Sequence, residues 1–369
     1  MTLYIRTEAN RVTATGHMMR CLAIADAAAE KGIRTVFIVA EEGSERFPQE
    51  RGYETICLAR RWDDFAGEIP VMERLIIDRR VEMMLIDSYF ISEDYMKAVT
   101  KMTRTAYIDD LHAAIWSCSI LIDYAVYYDL FDYQQEYPDT KLLLGCRYAP
   151  LRKEFKDLPA KQISQVVKKV LVVTGGTDEY HFMRQFTEAL LSQRSLFAGV
   201  EFTLICGAFN REIEEIRKLS AEYVVEADDL EEDRKSVSDN GTDRKADVMR
   251  IKIYPTLPTL RDAMLETDLL ITAGGTTLYE MAACGTPGIC FSMADNQLDN
   301  VKGFAGRELV LYAGDIRKDF SFERLIHMMK ELMQDHAARA AVSEKLRALV
   351  DGKGAERIVD AVIHYRSGL

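Results

Sequence analysis

Short apolar runs alternate with helical patterns along most of the chain. The first run, Leu3-Tyr4-Ile5, leads into a stretch in which Met18, Cys21, Leu22, Ala25, Ala28 and Ala29 recur at helical spacing. Further strand-like runs lie at 35–40, 53–58, 82–87, 104–109 and 119–123, with helical patterns between several of them, notably 66–80 and 92–102. These runs are near-continuously apolar, as expected of parallel strands covered on both faces. The alternation breaks over 127–168: 127–138 is aromatic and polar, 142–148 is a short strand-like run, and 156–168, with Pro159, reads as a linker. It restarts with strands predicted at 169–173, 200–206, 251–254, 268–273, 287–291 and 309–312. Helices are predicted at about 180–193, 210–222 and 259–266, from Asn296 and Gln297 onward, and over most of 319–350. The segment 226–247 is rich in charge and poor in large apolar residues, and reads as an exposed insertion. The pattern predicts two α/β domains, 1–160 and 168–350, followed by a C-terminal helix over 354–369. The halves share this architecture without a sequence repeat.

The length of 369 residues suits two domains. The formal net charge of −12 supplies no global basic field, which argues against a nucleic-acid partner or an anionic membrane surface. None of the seven cysteines forms a C-x-x-C pair, and several sit inside apolar patterns, so they read as buried thiols of a reducing compartment. Cys284, among Ala282, Ala283 and Gly285, reads as a small core residue rather than a nucleophile. The N-terminus enters a strand at once and lacks a signal-peptide pattern. No apolar run approaches the ~20 residues of a membrane span. A cytoplasmic location is the expectation.

Candidate chemistry begins at Gly16-His17, past the first strand and at the start of the first helix. Open α/β sheets bind ligands at the carboxyl ends of their strands. Partial positive charge at a helix N-terminus disfavours imidazolium, and a neutral imidazole is a usable general base. Capping or packing at the helix start is the alternative reading. Arg6, Asp87-Ser88-Tyr89 and Asp109-Asp110 also end strands, so they converge with His17 on one rim unless the aspartates merely cap the next helices. The second half carries two glycine turns, Thr174-Gly175-Gly176-Thr177 and Ala273-Gly274-Gly275-Thr276-Thr277, each between an apolar strand and a helix. Their amides can approach an anion, and Glu280, one turn further, is placed to accept from sugar hydroxyls. The set suits a ribose diphosphate. Neither turn is G-x-G-x-x-G or a Walker sequence. The histidines at 112, 181, 327, 336 and 364 read as surface or capping residues, so chemistry without metal or cofactor is the default.

Five stretches occur in order: Gly16-His17-Met18-Met19-Arg20-Cys21, Asp87-Ser88-Tyr89, Val172-Val173-Thr174-Gly175-Gly176-Thr177-Asp178, Ala273 to Glu280, and Ala294-Asp295-Asn296-Gln297. Together they resemble the UDP-2,4-diacetamido-2,4,6-trideoxy-β-L-altropyranose hydrolases of pseudaminic acid biosynthesis. Spore-coat polysaccharide biosynthesis proteins carry similar motifs. The second half also resembles the nucleotide-binding half of the peptidoglycan N-acetylglucosaminyltransferase. The resemblance implies a glycosyltransferase-B-like fold, two Rossmann-like domains facing a cleft, and inverting, metal-independent hydrolysis of a UDP-sugar. It implies His17 as general base with Tyr89 and Asn296 positioning sugar or water. Arg6, Gly16, Arg20, Asp87 and Gln297 would bind substrate. Gly175, Gly176, Thr177, Gly274, Gly275, Thr276, Thr277 and Glu280 would hold UDP. Other enzymes of the same sugar pathway are candidate partners. Departures are the 10–15 turn before Gly16, Asp295 in place of Glu, and the 226–247 insertion. The alternative expectation is a glycosyltransferase with the same donor site, its acceptor lying along the aromatic stretch 124–137.

Overall fold

Seven of the apolar runs pair into one sheet: β1 (Thr2–Thr7), β2 (Arg34–Val39), β3 (Glu54–Cys57), β4 (Met83–Asp87), β5 (Arg104–Ile108), β6 (Ile120–Asp123) and β7 (Lys141–Leu144). The spatial order is β3-β2-β1-β4-β5-β6-β7 and every pairing is parallel. The computed structural model describes residues 1–10, 15–175, 178–207, 210–224, 248–257 and 259–365. The predicted insertion 226–247 therefore lies outside the described residues. The central strands bury Leu3, Ile5, Met84, Leu85 and Ile86 completely, which is why their sequences are apolar on both faces. The helix Gly16–Glu30 returns over the sheet on Met18, Cys21, Leu22, Ile24, Ala25 and Ala28. Strand order reverses between β1 and β4, whose register sets Thr7 opposite Asp87. Their carboxyl ends are thus level at the switch point, where such sheets open a crevice.

The second sheet repeats the plan with β8 (Lys169–Val173), β9 (Glu201–Ile205), β10 (Arg250–Tyr254), β11 (Leu269–Ala273), β12 (Gly288–Ser292) and β13 (Leu311–Asp315). Its order is β10-β9-β8-β11-β12-β13, again all parallel, with the reversal between β8 and β11. Its core holds Val170, Val172, Phe186, Phe202 and Ile271, with Phe182 stacked on Phe291 at 4.2 Å between ring centroids.

The chain divides into two compact units: residues 1–157 with the segment from Val350 onward, and Leu158–Leu349. The helix Gly354–Ile363 belongs to the first unit, burying Ala355, Ile358, Val359 and Val362. Arg104 donates to the Tyr365 carbonyl at 2.9 Å, and Lys31 pairs with Asp360. Gly354 permits this return, since a Cβ there would lie 2.1 Å from the Ala149 carbonyl oxygen.

Several boundaries differ from the sequence reading. The apolar run 309–312 starts before its strand: Leu309 and Val310 are buried, but pairing with β12 begins at Leu311, and the register shifts between Cys290 and Ser292. Asn296 and Gln297 form a short 3-10 turn, Asp295–Gln297, and the helix starts only at Leu298. The break at 127–138 holds a 3-10 turn, Tyr128–Leu130, and one helical turn, Tyr133–Glu136, capped by the Asp132 side chain.

Candidate active site

The reversal in the first sheet gathers side chains from four strand ends. His17 is buried in the first turn of its helix, and its Nδ1 lies 2.6 Å from Asp87 Oδ1 at the end of β4. Arg20, one turn further, donates from Nε to Asp87 Oδ2 at 2.6 Å and from Nη1 to Asp110 Oδ2 at 2.6 Å. Its Nη2 stands 3.0 Å from His17 Nδ1 and 2.5 Å from Asp87 Oδ1. A carboxylate only accepts, so the shorter 2.6 Å contact assigns a proton to His17 Nδ1, donated to Asp87, and the 3.0 Å approach of Arg20, which can only donate, is then no hydrogen bond. That tautomer leaves Nε2 with the lone pair. Burial pushes the Asp87 carboxyl up, but Arg20 and His17 outweigh it and hold Asp87 well below the usual carboxylate range. Tyr89 sets its ring on the imidazole, with centroids 4.2 Å apart at 76°, and donates its hydroxyl to Asp110 Oδ2 at 3.1 Å. Burial and then Asp110 raise that phenol well above its ordinary value, so it remains a donor. Tyr124, just past β6, hydrogen-bonds Arg20 and donates to Asp110 Oδ2 at 3.1 Å.

The structure brings His17, Arg20, Asp87 and Tyr89 together. It gives two of the expected substrate-binding cations an internal role. Arg6 is fully buried, bidentate to Glu68 at 3.0 and 2.5 Å and bound to Glu8 at 3.0 Å. The Arg20 guanidinium is likewise engaged by Asp87, Asp110 and Tyr124. Gly16 opens the helix, exposed, with no atom within 4 Å of an added Cβ. Asp109 does not face His17. Its Oδ1 accepts from the His112 amide at 2.9 Å and its Oδ2 from the Trp116 indole at 3.1 Å. Sequence reasoning gave Asp110 more to helix capping than to the site, and did not single out Tyr124. Both stand just past the ends of β5 and β6, the positional signal that finds them. His112 is not a surface histidine: it is half-buried, stacked on Phe131 at 3.8 Å and bonded to Glu136 at 2.7 Å.

The glycine turns follow β8 and β11, the adjacent strands at the second reversal, and they are not equivalent. Past β8, Gly175 has a φ of +101°. Gly176 and Thr177 lie outside the described residues. Asp178 then accepts from the Phe182 and Met183 amides at 2.9 and 3.0 Å, so a carboxylate already caps the helix Phe182–Ser192. Past β11, Thr276 at the N-cap of the helix Thr277–Cys284 is exposed and makes no side-chain cap hydrogen bond. With Asp178 already on the first amides past β8, helix-end partial charge favours an anion at the β11 turn. Gly274 is needed for packing, since a Cβ would fall 2.1 Å from Val301 Cγ1, whereas a Cβ on Gly275 meets nothing within 4 Å. Asn300 fixes the turn by donating to the Gly274 carbonyl at 2.9 Å while accepting from the Tyr279 hydroxyl at 2.8 Å. Glu280 is half-buried one turn along the helix. Asn296 is exposed, and Gln297 accepts from the Met293 amide at 3.0 Å.

The seven cysteines are free, and burial pushes the Cys284 thiol up to about 12, as suits a core residue and not a nucleophile. Among the described residues, no group of three or more His, Cys, Asp or Glu is placed to hold a metal ion, and no helix is long and apolar enough to cross a membrane.

No family model matches the chain. It is 36% identical over 97 residues to the spore coat polysaccharide biosynthesis protein SpsG of Bacillus subtilis, a match covering 26% of this chain and 28% of that protein. It is 22% identical over 297 residues to an uncharacterized protein of Methanocaldococcus jannaschii, covering 78% of this chain and 54% of the relative. The matches thus span about half or less of the length of these curated relatives. Among solved structures, MurG of Acinetobacter baumannii is similar over 99% of both chains, with a TM-score of 0.69 at 13% identity. The S. aureus MnaA–UDP co-structure aligns over 99% of this chain and 97% of that one, with a TM-score of 0.64 at 11% identity. The spinosyn rhamnosyltransferase SpnG complexed with thymidine diphosphate aligns over 98% of this chain and 100% of its own, with a TM-score of 0.55 at 13% identity. The two parallel-sheet α/β domains therefore have the glycosyltransferase-B fold, as the sequence led one to expect.

Proposed function

We propose that this chain is an enzyme that transfers a sugar from a UDP-sugar donor in the synthesis of a surface or spore-coat polysaccharide, with His17 as the general base. The observation that carries the proposal is the buried His17–Asp87 pair, 2.6 Å apart at the reversal of the first sheet. Asp87 holds the tautomer in which Nε2 takes a proton from the attacking hydroxyl, and it stabilises the imidazolium that results. The turn past β11 receives the diphosphate, which leaves as UDP and needs no strong acid behind it. Glu280 accepts from the ribose hydroxyls, and Asn296 contacts the sugar. One base and a single displacement give inversion at the anomeric carbon. Support comes from the partial likeness to SpsG and from the fold shared with MurG.

Hydrolysis of a UDP-2,4-diacetamido-2,4,6-trideoxyhexose is the second reading. It uses the same base with water as nucleophile, and the motif series from Gly16 to Gln297 favours it. One assay separates the two: UDP release from a panel of UDP-N-acetylhexosamines and UDP-diacetamido-trideoxyhexoses, with and without saccharide acceptors. Acceptor-stimulated release supports transfer. Acceptor-independent release of UDP and free sugar moves the assignment to hydrolysis. Intact donors under all conditions would remove both.

A further inference from the structure

The base reading accounts for His17 and Asp87 but leaves a second buried carboxylate unexplained. Arg20 carries one positive charge and is divided between two carboxylates, with 2.6 Å bonds to Asp87 Oδ2 and to Asp110 Oδ2. Asp110 is 13% exposed and Asp87 is fully buried, so neither charge is well screened by water. The Tyr89 and Tyr124 hydroxyls both donate to the oxygen of Asp110 that Arg20 holds. Three elements therefore meet on Asp110, and one of them, Tyr89, lies edge-on to the imidazole.

We propose that Asp110 is a positioning residue for His17: by sharing Arg20 with Asp87 and tethering the Tyr89 hydroxyl, it leaves Asp87 free to balance the proton that His17 takes up.

The charge count carries the argument. Among the described residues, the groups facing His17 are Arg20 from its own helix, Glu8 past β1, Asp87 ending β4, on which the Cys21 thiol also sits, and Tyr89 beyond it. Asp110 and Tyr124 act through Arg20. The thiol and the two phenols are neutral, and Glu8 shares Arg6 with Glu68 while accepting from Ser88. Arg20 against Asp87 and Asp110 leaves one unit of negative charge, which a protonated His17 cancels. Without Asp110, Arg20 would neutralise Asp87 outright, and a proton on His17 would lose the nearest carboxylate charge that balances it. Asp110 touches no reacting atom in this scheme. It acts through Arg20 and Tyr89.

The proposal rests on the reading of His17 as a base, but it can be tested without turnover. The full chain has six histidines, so histidine-selective 15N labelling gives few ring signals, and loss in His17→Asn identifies that of His17. The expected result is that Asp110→Asn lowers the midpoint of the His17 titration by about one pH unit, tenfold in proton affinity, and that Asp110→Glu largely restores it. Asp110→Ser, smaller and equally uncharged, should give the same shift and serves if the asparagine variant folds poorly. In turnover, the acidic limb of the kcat/KM profile should move the same way, with KM for the UDP-sugar within about twofold. A His17 titration unchanged in both uncharged variants would overturn the proposal. If no UDP-sugar is turned over by the wild-type chain, the transfer reading fails while the titration still decides the role of Asp110.

Discussion

His17 illustrates what one residue inherits from its neighbours. Its place after an apolar strand and at a helix start is visible in the sequence, as is Asp87 at the end of another strand. The commitment of Arg6 and Arg20 is not. A cation at a strand end reads as a substrate group until its partner is known, and the partner of Arg6 is Glu68, in the helix Phe65–Arg79. Asp123 gives a prediction of the same kind. It is buried, accepts from the Ala125 amide at 2.7 Å and from the Tyr133 hydroxyl at 2.8 Å, and burial pushes its carboxyl up to about 8. The folded state therefore holds a proton that the unfolded chain releases near the ordinary aspartate value. Stability from this group is fully present below about pH 4 and is lost as pH rises through about 8. Asp123→Asn, which keeps the shape and cannot ionise, should gain on the wild type steadily between about pH 5 and pH 8. Urea midpoints across that range should diverge in that direction, and parallel curves would contradict the buried neutral carboxyl.

At the level of elements, the parallel strands were legible because burial on both faces leaves continuous apolar runs. The ends were less so. The run at 309–312 is apolar because the approach to β13 is buried too, so hydrophobicity alone misplaces the strand. The glycine turns show the same boundary of inference. Their position between strand and helix could be read from sequence, but the reason for each glycine could not. Gly274 makes room for Val301, and Gly275 borders open space. These causes predict opposite phenotypes. Gly274→Ala should lower stability by about 1–3 kcal/mol through overpacking, seen as a lower melting temperature without UDP. Gly275→Ala should melt like the wild type and weaken UDP binding by about tenfold or more, measured calorimetrically, because its methyl would occupy the place assigned to phosphate. Equal UDP affinity in Gly275→Ala would move the nucleotide elsewhere.

At the scale of the whole molecule, the two sheets share one strand order around their reversals. Repetition of architecture without sequence repeat was readable from alternation alone. That the last helix completes the first unit was not, because its apolar stripe fits any partner and contacts such as the packing at Gly354, the Lys31–Asp360 pair and the Arg104 bond to Tyr365 select one. The proposal assigns proton transfer to the first unit and nucleotide binding to the second, and this division is its central claim. His17→Asn tests it most directly, since the amide can still donate to Asp87 but carries no equivalent of Nε2. UDP release from the donor that supports turnover and UDP affinity by calorimetry should be measured on the same preparation. Turnover should fall at least ~10²-fold, the usual contribution of a general base, while the UDP dissociation constant stays within about twofold. Turnover within about threefold of the wild type would contradict the assignment of His17 as the base.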